Sequence, residues 1–362
     1  MFVGDTSAYG LYHLVYMALD AAVHQAGRGK CDRVSVELGR DGSCTLFESG
    51  RPPQLSHVPE LLTGLNRPTD GDPLRFEWIC TSALSSHFQL DGWDGRRQWR
   101  VCTRRGQLES KPVYLDQPEP VPFGARRGIR LRFTPDRTIF TEGHTYASSK
   151  ICLRLRELAF VFPGLTTHLV DRRTGHTETR CHPSGLVGLV DELSESRGLP
   201  SQVIAVAHIW NEIAIRAAFR WTQSSAPPLI WSFANTVRTQ GAGKHVTGLV
   251  RAMATALPTV STEHPVLRLG PSNAFRSLPI TLHSFGRGWV AAIAVDGPRS
   301  KVHFLGPTKS TLGIEGLDDA IAEGLAPKIA AALAEQADDE FRSRVDDMRA
   351  FEASALRTNG FG

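Results

Sequence analysis

Four polar residues near the amino terminus belong to types that could move a proton or hold an anion. His24 and Gln25 end an apolar pattern, and Glu48 and Arg51 follow after roughly the length of a hairpin. An imidazole and a carboxyl group within reach of each other can act as general acid and base, and an arginine can anchor an anion or a carbonyl oxygen. We therefore take His24 and Glu48 as candidate catalytic residues, and Gln25 and Arg51 as candidate ligand-binding residues.

One helix and one hairpin must position these side chains. Residues 10–27 carry apolar side chains at spacings of three and four, which predicts an amphipathic helix. Arg33–Leu38 and Cys44–Phe47 have the composition of strands, and the Gly39–Gly42 connection between them indicates a hairpin. A Gly-Arg-Pro-Pro turn follows at Gly50–Pro53. A candidate site is therefore expected between the helix and this turn.

This helix, hairpin and turn resemble the start of the ATPase region of the DNA gyrase B and topoisomerase IV family, within the GHKL group. The chain reads MFVGDTSAYGLYHLVYMALDAAVHQA, then CDRVSVEL, then DGSCTLFESGRPP, without a gap against the family pattern. Later matches follow in the same order: GIRLRFTPDRTI at Gly128–Ile139, LRLRELAFVFPGLTTHLVD at Leu153–Asp171, SFANTVRTQGAGKHVTGL at Ser232–Leu249 and PTKSTLG at Pro307–Gly313.

The resemblance implies an α/β (α+β) fold, in which a GHKL (Bergerat) α/β sandwich precedes a gyrase-type transducer domain of ribosomal S5-like fold. A length of 362 residues fits two domains. We place a degenerate GHKL ATPase-like domain at residues 1–190 and a transducer-like domain at residues 191–362. Ile314–Arg349 is predicted as a long amphipathic helix, with Pro327 near a break or in a first turn.

Several positions that carry ATP chemistry in the family differ in this chain. By the resemblance, Met17 replaces the general base and Ala21 replaces the magnesium-binding asparagine, so proton acceptor and metal oxygen are both lost. Glu48 replaces the adenine-reading aspartate and is one methylene longer. The glycine-rich lid that wraps the phosphates corresponds to Asp72–Leu84, which contains no glycine. The resemblance therefore implies a degenerate member that lacks the catalytic residues.

Further ligand-binding candidates come from the same comparison. Ile129 replaces a threonine that supports the adenine site, and Leu131 adds to the apolar lining. Arg100 aligns approximately with a family arginine at the pocket mouth. Lys309 matches a lysine of the second domain that reaches the terminal phosphate. Met17 and Ala21 are also ligand-binding candidates, and together with Ile129 and Leu131 they would line a pocket more apolar than an ATP site.

Two functional hypotheses follow. In the first, the chain is a gyrase B-like protein that has lost ATP hydrolysis, and its former nucleotide pocket binds a non-nucleotide small molecule, for instance in secondary metabolism. Whether it also transforms that ligand by acid/base chemistry stays open; it is expected to be neither an ATPase nor a topoisomerase. In the second, it is a non-catalytic binding protein, acting as an inhibitor decoy (a resistance factor) or as a gyrase modulator. Contact with a second copy or a gyrase subunit is the protein partnership that the family implies.

Composition narrows these hypotheses. The net charge of +4 is small for this length and gives no nucleic-acid signature, and the six cysteines have no zinc-ligand spacing. We expect no cofactor and no metal. No signal peptide or apolar run of membrane-spanning length is present, so we expect a cytoplasmic protein without a membrane partner. The sequence starts without the family's partner-crossing arm and ends without a DNA-cleavage domain, so we expect no direct DNA cleavage.

Overall fold

The structure is a computed structural model whose backbone divides into two compact units, Met1–Gly185 and Leu186–Gly362. Residue 190, where we predicted the domain boundary, lies inside a helix of the second unit. The structure describes residues 5–27, 30–63, 74–142, 145–197, 202–222, 226–239, 243–256, 288–298, 300–305 and 311–336.

The first unit combines helices with one large sheet. Its helices are α1 (Ala8–Gly27), α2 (Val58–Thr63), α3 (Leu74–Ala83) and α4 (Ser148–Val161). Its strands are β1 (Arg33–Leu38), β2 (Cys44–Glu48), β3 (Ser85–Trp93), β4 (Gln98–Arg104), β5 (Gln107–Leu108), β6 (Val113–Tyr114), β7 (Gly128–Pro135), β8 (Thr166–Asp171) and β9 (His176–Arg180). The described strands pair in the order β5-β4-β3-β7-β2-β1-β8-β9, with β6 beside β4. Only the β1–β8 pairing among them is parallel.

The predicted helix and hairpin are confirmed. α1 begins two residues before the predicted start, and the Asp5 carboxylate accepts hydrogen bonds from the N–H groups of Ser7 and Gly10, each at 2.9 Å. β1 and β2 pair antiparallel, and Gly42 in their connection has a φ of 81°, a conformation that favours glycine. Local periodicity and turn chemistry are therefore sufficient to specify this part of the fold.

Side chains alternate between the two faces of the first sheet, as strand geometry requires. The helix-covered face carries apolar residues that join one core cluster with residues of α1, α3 and α4, for example Leu46, Leu90 and Ile129. The opposite face, which we call the outer face, carries the residues between them, including Phe47, Asp91 and Arg130. The face on which a residue lies therefore decides whether it can reach the predicted site.

The second unit contains α5 (Leu186–Ser194), α6 (Lys244–Ala256) and α7 (Leu317–Gln336) with strands β10 (Ile204–Trp210), β11 (Ile213–Trp221), β12 (Leu229–Ala234), β13 (Val237–Thr239) and β14 (Trp289–Asp296). The strand order is β10-β11-β14-β12-β13, and β12 and β14 are parallel. α6 and α7 pack against each other, and their buried residues share one core cluster with the sheet.

The expected break at Pro327 is wrong, because α7 continues through this residue. A proline inside a helix costs about 3 kcal/mol. Leu325 and Ile329 on either side are at most 1% exposed and belong to the core cluster of the second unit. Burial of these side chains offsets the missing backbone hydrogen bond. The predicted extension of this helix to Arg349 lies outside the described residues.

Candidate functional site

Glu48 occupies the last position of β2, between two apolar strands. It pairs with Val34 of β1 and with Ile129 of β7. Because Cys44 and Leu46 on the same side of β2 belong to the helix-packed core cluster, the Glu48 side chain also lies on the helix-covered face. Glu48 is 1% exposed. The sheet therefore delivers a carboxyl group into an apolar interior.

One oxygen of the Glu48 carboxyl group lacks compensation. Its Oε2 is buried without a hydrogen-bond partner among the described residues. Burial raises the pKa of Glu48 from 4.5 to about 8, since the charged form loses its hydration. At neutral pH the folded protein therefore holds Glu48 mainly in its protonated form, which can donate one hydrogen bond and accept another.

Cys31 is an uncharged neighbour of Glu48 that sequence reasoning missed. Its thiol donates to the carbonyl oxygen of Arg33 at 3.2 Å and accepts a weak contact from the Ser49 hydroxyl at 3.7 Å. Burial first, and then the nearby Glu48, raise the pKa of the Cys31 thiol to about 11. Cys31 is therefore a thiol at neutral pH, and it does not supply a nucleophilic thiolate.

The structure brings five of the predicted residues together in one apolar environment. Ala21, Ile129 and Leu131 are each at most 2% exposed and belong to the same core cluster. Met17 is half-buried and packs against this cluster. With Glu48 on the same face of the sheet, these residues form the candidate site. Its described lining is apolar around a single protonated acid.

Two residues of α1 that match the family pattern hold the helix in place. The Tyr16 hydroxyl donates to the carbonyl oxygen of Lys150 in α4 at 2.9 Å, and Arg154 of α4 donates to the Asp20 carboxylate at 3.1 Å. The Arg154 side chain is 5% exposed, so this ion pair is largely shielded from water. Tyr16 and Asp20 therefore fix α1 to α4. Both residues are retained from the family pattern, whereas Met17 and Ala21 directly after them are changed. This contrast could have revealed their structural role from the sequence.

Three candidates cannot be placed at the side-chain level. His24 and Gln25 lie in the last turns of α1, and the side chains of both are outside the described part of the structure. Lys309 lies outside the described residues altogether. Their predicted roles therefore stay predictions.

Arg51 lies apart from Glu48, the other candidate residue of this hairpin and turn. Its side chain is exposed, whereas Glu48 is almost completely buried, and the two make no hydrogen bond or ion pair. β2 ends at Glu48, so the chain leaves the sheet before it reaches Arg51. Arg51 stays a candidate only for contact with a ligand that approaches from solvent.

Arg100 does not join the site either, because it lies on the outer face. It is paired with Asp91 across β3 and β4, while Leu90 and Val101 beside them belong to the core cluster on the other side. One position along a strand changes the face completely, so an approximate alignment placed Arg100 on the wrong side of the sheet. The predicted role of Arg100 at the pocket mouth is therefore corrected.

Arg100 takes part instead in a buried polar network around Asp91, whose side chain is 0% exposed. The Arg100 Nε donates to Asp91 Oδ1 at 2.6 Å, and the Gln98 amide approaches the same oxygen at 3.5 Å. Asp91 Oδ2 accepts from the Arg130 Nε at 3.0 Å, from the Arg130 Nη2 at 2.8 Å and from the Gln89 amide at 2.8 Å. Both oxygens of this buried carboxylate are thus satisfied.

Within the described residues, no group of three or more His, Cys, Asp or Glu side chains is arranged to hold a metal ion. No described helix is long and apolar enough to cross a membrane.

Comparison with known proteins identifies the family. A family model described as DNA gyrase B matches residues 185–354. The crystal structure of the B-subunit of DNA gyrase from Myxococcus xanthus is 34% identical, with a TM-score of 0.82, and the alignment covers 93% of this chain and 94% of that one. The 43K ATPase domain of Thermus thermophilus gyrase B, solved with an aminocoumarin, is 23% identical with a TM-score of 0.78, and the alignment covers 99% of this chain and 93% of that one; it supports the fold alone.

Curated relatives agree with this result. The chloroplastic/mitochondrial DNA gyrase B protein of rice is 27% identical over 86% of this chain and 45% of its own length. The B-subunit of DNA topoisomerase 4 from Bacillus subtilis is 27% identical over 93% of this chain and 52% of its own length. The chain spans about half the length of the curated relatives it matches. Its fold is the α/β GHKL sandwich followed by a gyrase-type transducer domain, and the chain belongs to the DNA gyrase B family.

Proposed function

We propose that this chain is a gyrase B-like protein that does not hydrolyse ATP, and that its former nucleotide pocket binds a non-nucleotide small molecule. The observation that carries the proposal is the buried Glu48 carboxyl group, whose Oε2 lacks a hydrogen-bond partner among the described residues. A buried polar atom without a partner is costly, and native proteins complete most such atoms with protein groups, water or a ligand. Glu48 therefore supports a ligand contact at this point of the sheet.

The residues around Glu48 support the loss of ATP chemistry. Met17 stands where the family resemblance places the general base, and its thioether cannot take a proton from water at neutral pH. Ala21 stands at the position of the magnesium ligand, is 2% exposed, and offers only a methyl group. A pocket lined in this way suits an apolar ligand better than a magnesium nucleotide.

The segment that corresponds to the phosphate-binding lid also supports this proposal. It contains α3, and Trp78 of this helix is 0% exposed within the same core cluster as Ala21. Beyond its first turn, an α-helix uses its N–H groups in its own backbone hydrogen bonds. Those amides are therefore not available to wrap phosphate oxygens as a glycine-rich loop does.

The protonation state of Glu48 suggests which ligands would fit. A protonated carboxyl group presents one donor and one acceptor side by side, which matches an amide, a lactam or a similar group. An apolar ligand body would pack against Ile129 and the methyl group of Ala21. If the ligand is transformed, His24 and Glu48 are the acid/base candidates. We further propose that the protein is cytoplasmic and that its ligand is a compound of secondary metabolism.

The first experiment measures nucleotide binding and hydrolysis by the purified chain. We expect no magnesium-dependent phosphate release, and no thermal shift with magnesium and a non-hydrolysable ATP analogue. A ligand at a hundred times its Kd would add about 2.7 kcal/mol to the free energy of unfolding, so binding would be visible as a shift of several degrees. Such a shift would refute the loss of nucleotide binding.

A second experiment tests the pocket directly. Native mass spectrometry of protein incubated with a cell metabolite extract is expected to show one retained small molecule. Glu48→Leu should abolish retention, because leucine fills this apolar environment with an apolar side chain but lacks the hydrogen-bonding carboxyl group. Glu37→Gln is the matched control, since Glu37 forms an exposed ion pair with Arg172, which directly follows the neighbouring strand β8. Equal retention by both variants would exclude Glu48 as a ligand contact.

A second candidate function is an inhibitor decoy, and the neighbouring structures give it a specific basis. The Thermus thermophilus gyrase B domain was solved with an aminocoumarin, and the topoisomerase IV ATP-binding domain of Francisella tularensis was solved with a small-molecule inhibitor. A chain that keeps this fold without ATP chemistry could bind such inhibitors, or could bind gyrase subunits as a modulator. Micromolar aminocoumarin binding would favour the decoy, and pull-down of a gyrase subunit with an empty pocket would favour the modulator.

A further inference from the structure

The segment Leu115–Arg127 between β6 and β7, which we call the strap, crosses the outer face of the first sheet. It carries prolines at positions 118, 120 and 122, and Val121 and Ala125 have extended backbone angles. The Trp93 indole N–H donates to the carbonyl oxygen of Glu119 at 3.0 Å. Further along the strap, the Phe123 ring contacts Phe47 of β2, with ring centroids 5.9 Å apart. The strap is therefore a peptide segment held on a sheet face, with a 3-10 turn at Pro122–Gly124.

Glu119 is the most completely recognised residue of the strap. Its carboxylate bridges two arginines, with Oε1 accepting from Arg100 Nη2 and Oε2 from Arg130 Nη2, each at 2.7 Å. Its backbone N–H donates to the Gln98 side chain at 2.6 Å, and its carbonyl oxygen accepts from Trp93. The sheet thus binds the side chain, the N–H and the carbonyl oxygen of one acidic residue, which is how a protein surface recognises a peptide.

The charges at this site require an acidic occupant. Arg100 and Arg130 bring two positive charges, and Asp91 beneath them brings one negative charge. Without Glu119, these three side chains therefore have a net charge of +1, and the two guanidinium groups point toward the same place. Bidentate and bridging contacts of this kind favour a carboxylate over a neutral side chain.

The strap is bound, but it is not enclosed. The Glu119 side chain is 43% exposed, so a competing carboxylate can reach the two arginines. Phe123 has a φ of 58°, which is uncommon for a residue other than glycine, and it is 47% exposed. An accessible contact point followed by a strained anchor describes a segment that can be exchanged.

We propose that the outer face formed by Trp93, Gln98, Arg100 and Arg130 is a docking site for an acidic extended peptide of a partner protein, and that the strap occupies this site in the free protein. The covalently attached strap is present at a high effective concentration, so a free peptide competes poorly until the strap is weakened. This site lies on the opposite face of the sheet from Glu48, and it does not depend on the function proposed for the pocket.

The test uses a fluorescent peptide with the strap sequence DQPEPVPFGA and a matched peptide in which glutamine replaces the glutamate. Anisotropy titrations compare the wild-type chain with Glu119→Ala. We expect Glu119→Ala to bind the acidic peptide at least about tenfold more tightly than the wild type does. The same variant should bind the glutamine peptide at least about tenfold more weakly than it binds the acidic peptide. Binding should weaken as salt increases, because the contacts are between charges.

Two control variants make the result specific. Glu109→Ala removes a carboxylate that pairs with Arg104 elsewhere in the same region, and it should leave peptide binding at the wild-type level. Glu119→Ala combined with Arg130→Gln should lose the gain. If folded Glu119→Ala binds neither peptide, or binds both equally, the proposal is refuted.

An experiment on the wild-type chain covers the case in which Glu119→Ala does not fold. Arg126 and Arg127 at the end of the strap are exposed and are sites for trypsin. An excess of the acidic peptide should accelerate cleavage there by displacing the strap, whereas the glutamine peptide should not. Equal cleavage rates with the two peptides would overturn the proposal.

Discussion

Glu48 and Asp91 are two buried carboxyl groups on opposite faces of the same sheet, and they differ in every contact that matters. Asp91 is 0% exposed and accepts hydrogen bonds from two arginines and from Gln89. Glu48 is 1% exposed, lies among apolar side chains, and has an oxygen without a partner among the described residues. Both side chains are equally buried, so their hydrogen-bond partners make the difference. A carboxyl group with partners stabilises the fold, whereas one without them is available to a ligand.

The difference indicates different roles for the two faces. On the outer face, arginines and amides compensate a buried charge, so the network is structurally complete. On the helix-covered face, no described group compensates the buried Glu48 oxygen, and the protein avoids the cost of a buried charge by keeping the proton. A buried polar group without a hydrogen-bond partner among the described residues is the more informative position for function. The three predictions below test this contrast.

The largest effect is expected for Asp91→Asn. The substitution removes the charge that Arg100 and Arg130 share while it leaves both guanidinium groups in place. Loss of one partner of a buried ion pair typically costs about 3–5 kcal/mol, and we expect a decrease of this size in the free energy of unfolding. Urea denaturation at neutral pH measures it. Glu37→Gln, which breaks an exposed pair with Arg172, should cost less than about 1 kcal/mol. Equal losses in the two variants would show that the Asp91 network contributes nothing special.

The second effect is a pH dependence caused by Glu48. Between the ordinary glutamate pKa of 4.5 and the raised pKa of about 8, the unfolded chain releases a proton that the folded chain keeps. The free energy of unfolding should therefore fall as pH rises, by about 1.4 kcal/mol per pH unit for this group alone. From pH 5 to pH 7.5 the loss is roughly 3 kcal/mol.

Glu48→Gln removes this titration and isolates it from all others. Urea denaturation of both proteins at the two pH values gives the difference. The variant should lose roughly 3 kcal/mol less than the wild type over the same interval and should become the more stable protein at the higher pH. Parallel pH profiles for the two proteins would mean that Glu48 is ionised or hydrated in solution.

The smallest effect is expected for Glu119→Gln. Desolvation opposes ionisation of Glu119, but hydrogen bonds from Arg100 and Arg130 outweigh it and lower its pKa. A lowered pKa adds stability above the ordinary value of 4.5, and this stability is lost as pH falls through the folded value. Because the side chain is 43% exposed, the substitution should cost about 1 kcal/mol at neutral pH, and this cost should decrease as pH falls below 4.5. A cost that does not change with pH would contradict an electrostatic contribution from the pairing of Glu119 with Arg100 and Arg130.

Sequence patterns were sufficient for the elements that depend on local order. The helix around Leu14 and the hairpin that turns at Gly42 follow from periodicity and turn chemistry, and both are confirmed. The positions of Arg51 and Arg100 could not be obtained in this way. The place of Arg51 depends on where β2 ends, and that of Arg100 on a strand register that changes face with every residue. The partners of Asp91 include Arg130, from a strand distant in the sequence, so no local pattern reveals the network.

The attachment of α1 to α4 through Tyr16 and Asp20 has a consequence for protein engineering. Each of these two anchoring residues is followed directly by a residue of the candidate site, Met17 and Ala21. Anchoring residues and candidate-site residues thus occupy adjacent positions on one helix and lie on different sides of it. Met17 and Ala21 can therefore be substituted one at a time without removing the contacts that attach α1 to α4. The chain is thus a suitable scaffold for introducing new reactive side chains at these positions.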